Sequence, residues 1–353
     1  MLVVASDRHR SHAPLAEIES SGLQPPFEHP GRADAIRRSL DADAAFTIVE
    51  PDRWDTAPIE AVHDVGLVRF LERAWREYQV RHPGTHDVVP DVFAVPGLLA
   101  GVGALPARLP IDVELGTWCF ETTTPLTEGT YDAARSAIDI ALTATGSVAD
   151  GAPCAYGLCR PPGHHAPTGL YGGYCFFNNA AVAAHHAVAR TGSKVTVLDV
   201  DYHHGNGTQQ VFYGRDDVQY VSLHGDPARA YPYVTGFADE RGAGRGAGTN
   251  LNVPLQAGTD DDVYVAALEF VLEEIGAFDP GLLIVSLGVD TYHNDPISDL
   301  GVTTDGFHRQ GSLIAELGRP TVVLQEGGYD VDAIGDNVRN FLLGVTPGVR
   351  PLP

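Results

Sequence analysis

Residues 195–207, VTVLDVDYHHGNG, join a strand-like segment to a group of side chains that can bind metal. The segment 195–200 is rich in Val and Leu, a pattern typical of a buried strand in a parallel sheet. Asp201 and His203 follow it, and because they are two residues apart they point to the same side of an extended chain. This stretch therefore predicts a buried strand whose carboxyl end carries a site.

The same kind of apolar run recurs along the chain. We predict further buried strands at 2–5, 219–223, 282–288 and 321–325. In other stretches apolar residues recur every three or four positions, as they do in amphipathic helices. The predicted helices are 177–190, 262–275, 303–317 and 331–343. Strands that alternate with helices indicate an α/β fold with a parallel sheet and right-handed crossovers.

The chain shows no internal repeat, charge block or low-complexity linker, so we expect a single domain over residues 1–353. Segment 84–130 differs from the rest of the chain. Its sequence pattern is irregular and rich in Gly and Pro, and the segment is too long for an ordinary connection. Long loops within compact domains are usually functional, so we interpret it as a functional loop insertion.

Composition limits the class of protein. Of the 353 residues 44% are hydrophobic, enough for a large core, and the formal net charge is −23. This acidity argues against nucleic-acid binding, which requires a basic surface. A small cationic substrate fits the charge, although an acidic surface that serves only solubility, or a salty habitat, explains it equally well.

The cysteines and the apolar runs indicate the cellular compartment of the protein. No CxxC pair occurs, so we expect reduced thiols at Cys119, Cys154, Cys159 and Cys175. The N-terminal apolar run ends at Asp7, too early for a signal peptide, and no segment reaches the ~18 apolar residues of a membrane span. We expect a soluble, cytoplasmic protein that does not bind membranes.

The ends of the predicted strands carry ligand-type side chains, and open α/β sheets bind ligands beyond the carboxyl ends of their strands. Asp290 follows the run 282–288 and can join Asp201 and His203. One His and two carboxylates, with positions open for water and substrate, suit a catalytic Zn²⁺ or Fe²⁺. A single Asp at a strand end is more often a helix N-cap, so the prediction depends on all three residues together.

A His pair and a Tyr add groups for proton transfer and for oxyanion binding. His164 and His165 lie in the loop GLCRPPGHHAPTG, where one of them can take a proton from water and return it to a leaving amine. Tyr329 follows two glycines and can donate its hydroxyl to a carbonyl oxygen, although Gly-Gly-Tyr alone is as typical of a turn. We interpret a second pair, His185-His186, as the solvated face of a predicted helix.

Six strings together resemble the acetylpolyamine amidohydrolases, relatives of the class II histone deacetylases in the arginase/deacetylase superfamily. They are RPPGHHA (160–166), GGYCFFNNAA (172–181), VLDVDYHHGNGTQ (197–209), SLHGDP (222–227), SLGVDTYHNDP (286–296) and QEGGYD (325–330). Weaker likeness extends over most of the chain. The resemblance implies an arginase/deacetylase-like three-layer α/β fold with a mainly parallel eight-stranded sheet.

The resemblance also implies two metal ions. Asp201, His203 and Asp290 would be the ligands of a catalytic Zn²⁺, with Fe²⁺ or Co²⁺ as alternatives. A structural K⁺ would be held through side chains and backbone carbonyls of Asp199, Asp201, His203, Ser222 and Leu223.

Further roles follow from the same likeness. His165 would be the general base and acid, His164 its electrostatic partner, and Tyr329 the donor to the carbonyl. Asp199 would hydrogen-bond His164 and Asn206 would orient His165, and such partners decide which ring nitrogen carries the proton.

The resemblance assigns the walls of a narrow substrate channel to Tyr174 and Tyr231, with Ile297 near its mouth. Segment 84–130 looks like the long loop with which the polyamine branch shapes this channel and forms a homodimer.

In that branch the loop also offers acidic residues to the distal ammonium of the substrate, and Glu114 matches the first of them. Thr123 stands at the second position, with Glu121 nearby. The chain-length preference for the substrate therefore stays open.

These features predict a zinc-dependent amidohydrolase that removes acetyl groups from acetylated amines, acetylpolyamines above all. A protein acetyl-lysine deacetylase is the alternative with the same chemistry. An arginase-like ureohydrolase would need two metals and more carboxylates, and a metal-binding pseudoenzyme would not need the full set of catalytic groups.

Overall fold

The computed structural model describes residues 1–101, 105–106 and 109–346. The strands are Leu2–Val4 (β1), Glu17–Glu19 (β2), Gly22–Gln24 (β3), Thr47–Val49 (β4), Cys154–Gly157 (β5), Val195–Asp199 (β6), Val218–Gly225 (β7), Asn250–Leu255 (β8), Leu282–Leu287 (β9) and Thr321–Gln325 (β10). The α-helices are Gly31–Asp41 (α1), Ala57–Glu60 (α2), Val65–Arg81 (α3), Pro96–Leu99 (α4), Ile111–Trp118 (α5), Thr130–Ala149 (α6), Asn179–Thr191 (α7), Asn206–Phe212 (α8), Asp261–Phe278 (α9), Thr304–Glu316 (α10) and Ile334–Val345 (α11).

Eight strands form one sheet in the order β4-β1-β5-β10-β9-β6-β7-β8. Every neighbouring pair in it runs parallel. The strands β2 and β3 form a separate antiparallel hairpin. The mainly parallel, eight-stranded α/β fold implied by the resemblance is therefore confirmed.

Helices cover both faces of the sheet, and the alternation of side chains along each strand divides the core in two. On β9, Leu282 and Ile284 belong to the cluster that includes α3, α6 and α7. Leu283 and Val285 belong to the opposite cluster, with α1, α9, α10 and α11. Both faces are buried because parallel strands need crossover helices, which explains why these strands appear in the sequence as continuous apolar runs.

The predicted elements lie within a few residues of the observed ones. The prediction 321–325 coincides with β10, whereas β7 extends beyond the predicted 219–223 at both ends. Three strands of the sheet were not predicted individually: β4, β5 and β8. In β8, Pro254 argues against a strand, but β8 lies at the edge of the sheet, where a missing N–H is tolerated.

Segment 84–130 is more regular than the sequence predicted. It contains the helices α4 and α5, and its two ends are joined by a backbone bridge between Val88 and Leu126. The amide of each donates to the carbonyl of the other, at 2.8 and 2.9 Å. Residues 102–104 and 107–108 of this segment lie outside the described residues.

The interpretation of His185-His186 as a solvated face was wrong. Both side chains are half-buried on α7. His185 accepts a hydrogen bond from Arg215, and His186 packs edge-on against Trp54. Polar rings can therefore fill a helix face that packs against neighbouring segments.

Two predictions from composition can be compared with the structure. The four cysteines are free and buried, as expected for reduced thiols. Within residues 1–101, 105–106 and 109–346, no helix combines the length and the apolarity that crossing a membrane would require.

Candidate active site

The candidate residues meet because their strands are neighbours. The central strands β5, β10, β9 and β6 lie side by side and parallel, so their carboxyl ends share one edge of the sheet. The segments that leave this edge carry, in strand order, His164 and His165 after β5, Tyr329 after β10, Asp290 after β9, and Asp201 and His203 after β6. Residues far apart in the chain are thus collected at the position where α/β sheets bind ligands.

Asp201, His203 and Asp290 form a compact donor set. One ligand atom from each residue lies within 4.8 Å of the ligand atoms of the other two. In the part of the chain that the structure describes, this is the one group of three or more His, Cys, Asp or Glu side chains whose ligand atoms lie so close together. Nδ1 of His203 lies 3.1 Å from Oδ2 of Asp290 and 3.3 Å from Oδ1 of Asp201. The set of one imidazole and two carboxylates leaves coordination positions for water and substrate.

The electrostatics of this set fit a divalent cation. Asp201 and Asp290 are fully buried next to each other, and burial together with the Asp201 carboxylate raises the pKa of Asp290 to about 6. Two buried carboxylates disfavour each other's charge unless a cation lies between them. The donor types and their burial therefore fit the metal that the sequence predicts.

Backbone donors and glycines hold the two carboxylates in place. The amide of Gly327 donates to Oδ2 of Asp201 at 2.7 Å, and the amide of Tyr202 donates to Oδ1 of Asp290 at 2.8 Å. A Cβ added to Gly327 would overlap both carboxylates. Glycine is needed at this position because the backbone approaches the ligands so closely.

The tautomer of His165 follows from its partner. Its Nδ1 lies 2.7 Å from Oδ1 of Asn206, while the amide nitrogen of Asn206 donates to the carbonyl of His165. Because Oδ1 can only accept, Nδ1 carries the ring proton and Nε2 is left as an acceptor. His165 lines the cavity, so it can act as a base there.

His164 is in a different electrostatic state. Burial alone would lower its pKa, but the carboxylates of Asp201 and Asp199 outweigh burial and raise the pKa to about 10. Its Nδ1 lies 3.1 Å from Oδ2 of Asp199. Burial and the charges of His164 and His203 lower the pKa of His165 well below its ordinary value. The neighbouring carboxylates thus favour protonation of His164, whereas burial disfavours protonation of His165.

Tyr329 is fixed by neighbours that the sequence did not single out. The guanidinium of Arg32 lies 4.5 Å from the centre of its ring and donates to the carbonyls of Gly328 and Glu326. Oε2 of Glu326 in turn accepts from the amides of Gly163 and His164, at 2.6 and 3.2 Å. The Tyr329 loop and the His164-His165 loop are therefore joined through buried polar contacts.

A cavity of about 420 Å³ opens onto these groups. His165, His203 and Tyr329 lie in its lining, together with the three residues assigned to the channel, Tyr174, Tyr231 and Ile297. The rings of Tyr174 and Tyr329 are 5.8 Å apart, and those of His165 and Tyr231 are 4.8 Å apart. Aromatic surfaces thus flank the catalytic groups and narrow the approach to them.

The lining of the cavity also contains acidic residues. Glu19 of the β2–β3 hairpin and Glu121 both line it. Arg229 also lines it, but its charge is paired with Asp299. Glu121 accepts hydrogen bonds from Thr124 and from the backbone amide of Gly173, which are neutral donors. Within the described residues no cation lies within 4 Å of the Glu121 carboxylate.

Glu114 is not where the sequence analysis expected it. It lies on α5, and its carboxylate binds the guanidinium of Arg73 on α3. It does not belong to the lining of the cavity of its own chain. The helical conformation of 111–118, which the sequence did not predict, turns Glu114 towards α3 instead.

Three of the residues assigned to K⁺ lie on adjacent strands, and the other two, Asp201 and His203, follow the first of these strands. Asp199 ends β6 and is paired in register with Ser222 of β7, and Leu223 follows on the same strand. Asp199 and Ser222 are fully buried. Oδ2 of Asp199 also accepts a hydrogen bond from the hydroxyl of Tyr220.

Sequence reasoning missed Asp295 and Arg32 as parts of the site, and it noted Glu326 at a strand end without giving it a role. Glu326 and Asp295 are within the strings that carried the resemblance, so their position in QEGGYD and SLGVDTYHNDP was a usable signal. Arg32 lies in the stretch GRADAIRRSL, where nothing distinguishes it from the other arginines.

Comparison with known proteins identifies the family of the chain. Residues 26–345 match the histone deacetylase domain. Acetylpolyamine amidohydrolase 1 of Pseudomonas aeruginosa is 44% identical over 352 residues, which cover 99% of this chain and 100% of that protein. The acetylpolyamine amidohydrolase of Mycoplana ramosa is 41% identical, with 98% and 99% covered.

A solved structure gives the same result in three dimensions. The crystal structure of an acetylpolyamine aminohydrolase from Burkholderia pseudomallei superimposes with a TM-score of 0.92 at 40% identity, covering 98% of this chain and 99% of that one. Sequence and fold thus agree over nearly the whole chain, which belongs to the histone deacetylase family.

Proposed function

We propose that this chain is a zinc-dependent amidohydrolase that removes the acetyl group from acetylated polyamines. One observation carries the proposal: His165, whose Nε2 is unprotonated, and Tyr329 line the same cavity as His203, one of the three candidate metal ligands. Amide hydrolysis needs a base for water, a donor for the carbonyl oxygen and an electrophile.

Asp201, His203 and Asp290 would hold the Zn²⁺, for which Fe²⁺ or Co²⁺ could substitute. When bound, the ion supplies Lewis-acid chemistry, which polarises a carbonyl and acidifies water. We also propose a structural K⁺ that would be held through side chains and backbone carbonyls of Asp199, Asp201, His203, Ser222 and Leu223. The pairing of Asp199 with Ser222 and their burial support this second ion.

The protein groups perform the proton transfers. Nε2 of His165 accepts a proton from the attacking water as its oxygen bonds to the acetyl carbon. The Tyr329 hydroxyl donates to the carbonyl oxygen, where negative charge develops. His165 then delivers the proton to the amine nitrogen as the C–N bond breaks, which releases acetate and the free amine. The charge on His164 favours return of this proton.

The substrate assignment rests on the relatives and on the charge of the cavity. Four relatives that are 41–44% identical over 94–99% of this chain are named acetylpolyamine amidohydrolases. Glu121 and Glu19 give the cavity a negative potential that suits a distal ammonium. The net charge of −23 adds long-range attraction for polycations.

We further propose a cytoplasmic homodimer that binds neither nucleic acid nor membrane. Val95, Leu98 and Val113, all in segment 84–130, expose apolar side chains. Exposed apolar groups concentrated in one segment are typical of an interaction surface. The four free, buried thiols suit a reducing compartment.

A substrate panel tests the proposed function. Acetate release would be measured from N-acetylputrescine, N-acetylcadaverine, N1-acetylspermidine and an acetyl-lysine peptide, with D201A as the inactive control. We expect higher kcat/KM for an acetylpolyamine than for the peptide. Faster hydrolysis of the peptide than of every polyamine would replace the proposal with a protein deacetylase.

A further inference from the structure

Asp295 binds the backbone of the loop that carries Tyr329. Its side chain is 6% exposed. Oδ2 accepts hydrogen bonds from the amide of Tyr329 at 2.7 Å and from the amide of Asp330 at 3.3 Å. These two amides lie on either side of the Cα of Tyr329, so the carboxylate restrains the direction of its Cα–Cβ bond.

The loop needs such a restraint because its own backbone supplies little. Gly327 and Gly328 precede Tyr329, and Gly328 has a φ of +117°, a conformation that favours glycine. Two consecutive glycines leave the direction of the following residue undetermined by local preference. Arg32 fixes the carbonyl of Gly328, and Asp295 fixes the amide after it.

The same carboxylate also holds the channel wall. Oδ1 of Asp295 accepts from the amide of Ile297 at 3.2 Å, and the side chain of Ile297 lines the cavity. Three backbone amides from two loops therefore converge on one buried carboxylate. Because one buried side chain accepts hydrogen bonds from both loops, it can define the distance between them.

We propose that Asp295 is a positioning residue that sets the orientation of the Tyr329 hydroxyl towards the substrate carbonyl. The proposal rests on the proposed function, in which Tyr329 is the donor to that oxygen. Asp295 does not line the cavity, so it acts on the reaction through the residue that it positions, Tyr329.

A double-mutant cycle separates this role from a purely structural one. D295N keeps one acceptor oxygen but replaces the other by an NH₂ group, which then faces a backbone N–H donor. The hydrogen bonds that the replaced oxygen accepted are therefore lost. We expect D295N to lower kcat by about 10- to 100-fold, the cost of a misplaced catalytic group, with KM changed less than about twofold. In the Y329F background the same change should lower kcat by less than about twofold, because there is no hydroxyl left to misplace.

The control is D332N, which removes the same charge three residues after Tyr329 from an exposed side chain and should leave kcat unchanged in both backgrounds. A second measurement is amide hydrogen exchange: the amides of Tyr329 and Asp330 should exchange slowly in the unmodified chain and at least about tenfold faster in D295N. If D295N does not fold, the same double-mutant cycle is measured with D295E, in which the carboxylate is displaced by one methylene.

The outcomes separate the positioning role of Asp295 from the proposed function. If D295N lowers kcat by the same factor with and without the Tyr329 hydroxyl, or if the two amides exchange rapidly in the unmodified chain, the positioning role is wrong while the proposed function stands. If Y329F alone leaves kcat unchanged, the role of Tyr329 in the proposed function fails instead.

Discussion

Nδ1 of His165 lies 2.7 Å from Oδ1 of Asn206, and this contact determines which nitrogen of the base carries the proton. Without the acceptor both tautomers and other ring orientations become accessible. N206A should therefore lower kcat by about 10- to 100-fold, the usual cost of losing such a partner. N206D keeps an acceptor in the same place and should retain more activity than N206A. Equal activity of N206A and the unmodified chain in a steady-state assay would show that the contact does not control the base.

Y329F removes one hydroxyl without leaving a large cavity. If this hydroxyl stabilises the developing oxyanion, turnover should fall by about 10²–10³, equivalent to about 2.7–4 kcal/mol of barrier, while KM changes little. Metal content and thermal stability should match those of the unmodified chain. A fall in substrate affinity without a fall in kcat would assign Tyr329 to binding rather than to the chemistry.

G327A tests the close contact of the backbone with the ligand carboxylates. The added Cβ would overlap Asp201 and Asp290, so at least one ligand must move. We expect the metal content per chain, measured by plasma mass spectrometry, to fall well below one, as it should for D201A. G276A is the matched control because a Cβ there meets nothing within 4 Å. Full occupancy in both G327A and D201A would contradict the ligand assignment.

The buried ion pair of Glu28 predicts how stability depends on pH. Burial opposes the charge of Glu28, but Arg160 and Arg32, at 2.7 and 2.9 Å, outweigh it and lower its pKa from 4.5 to about 2. Because the folded pKa is the lower one, the stabilisation is complete above pH 4.5 and is lost as the pH falls towards 2. This shift corresponds to about 3 kcal/mol.

E28Q should lower the free energy of unfolding at pH 7 by about 3–5 kcal/mol, since it leaves two buried guanidiniums without their charge partner. It should also weaken the dependence of stability on pH between 4.5 and 2. Denaturant unfolding at several pH values measures both effects. The exposed pair of Asp262 with Arg309 provides the control, because D262N should change stability little. An unchanged pH dependence in E28Q would show that other groups cause acid unfolding.

Glu121 should distinguish charged from neutral substrates. E121Q keeps the shape of the side chain and removes its charge, so KM for N-acetylputrescine should rise while KM for a neutral acetylated amine of similar length changes little. A contact of this kind is worth about 0.2–1 kcal/mol, and added salt should reduce the difference. E114Q serves as the comparison, because Glu114 is paired with Arg73. Equal effects of E121Q on both substrates would mean that Glu121 does not bind the ammonium.

Some features of the site follow from local sequence. Asp201 and His203 lie two residues apart at a strand end, so their common direction follows from the geometry of an extended chain. The continuous apolar runs predicted β6, β9 and β10 because strands buried on both faces need apolar residues on both sides. The strings with polar residues after these strands also carried the family likeness, which the comparisons confirm.

Other features depend on which elements become neighbours, and no local pattern contains that information. Glu114 was assigned to the substrate, but the helix α5 turns it towards Arg73 of α3, a residue 41 positions away. Asp295 and Tyr329 are 34 positions apart, and they meet only because β9 and β10 pair in the sheet. The short strands β4 and β5 are likewise recognisable mainly by their partners.

The sequence by itself determined the α/β class, the main buried strands and the chemical types of the site residues, because periodicity and residue chemistry are local properties. Only the tertiary structure decided which loop residues face the cavity and which side chains are held by Asp295, Glu326 and Arg32. The physical reason is that the position of a side chain relative to a distant partner depends on the pairing of strands and the packing of helices, which are properties of the whole chain.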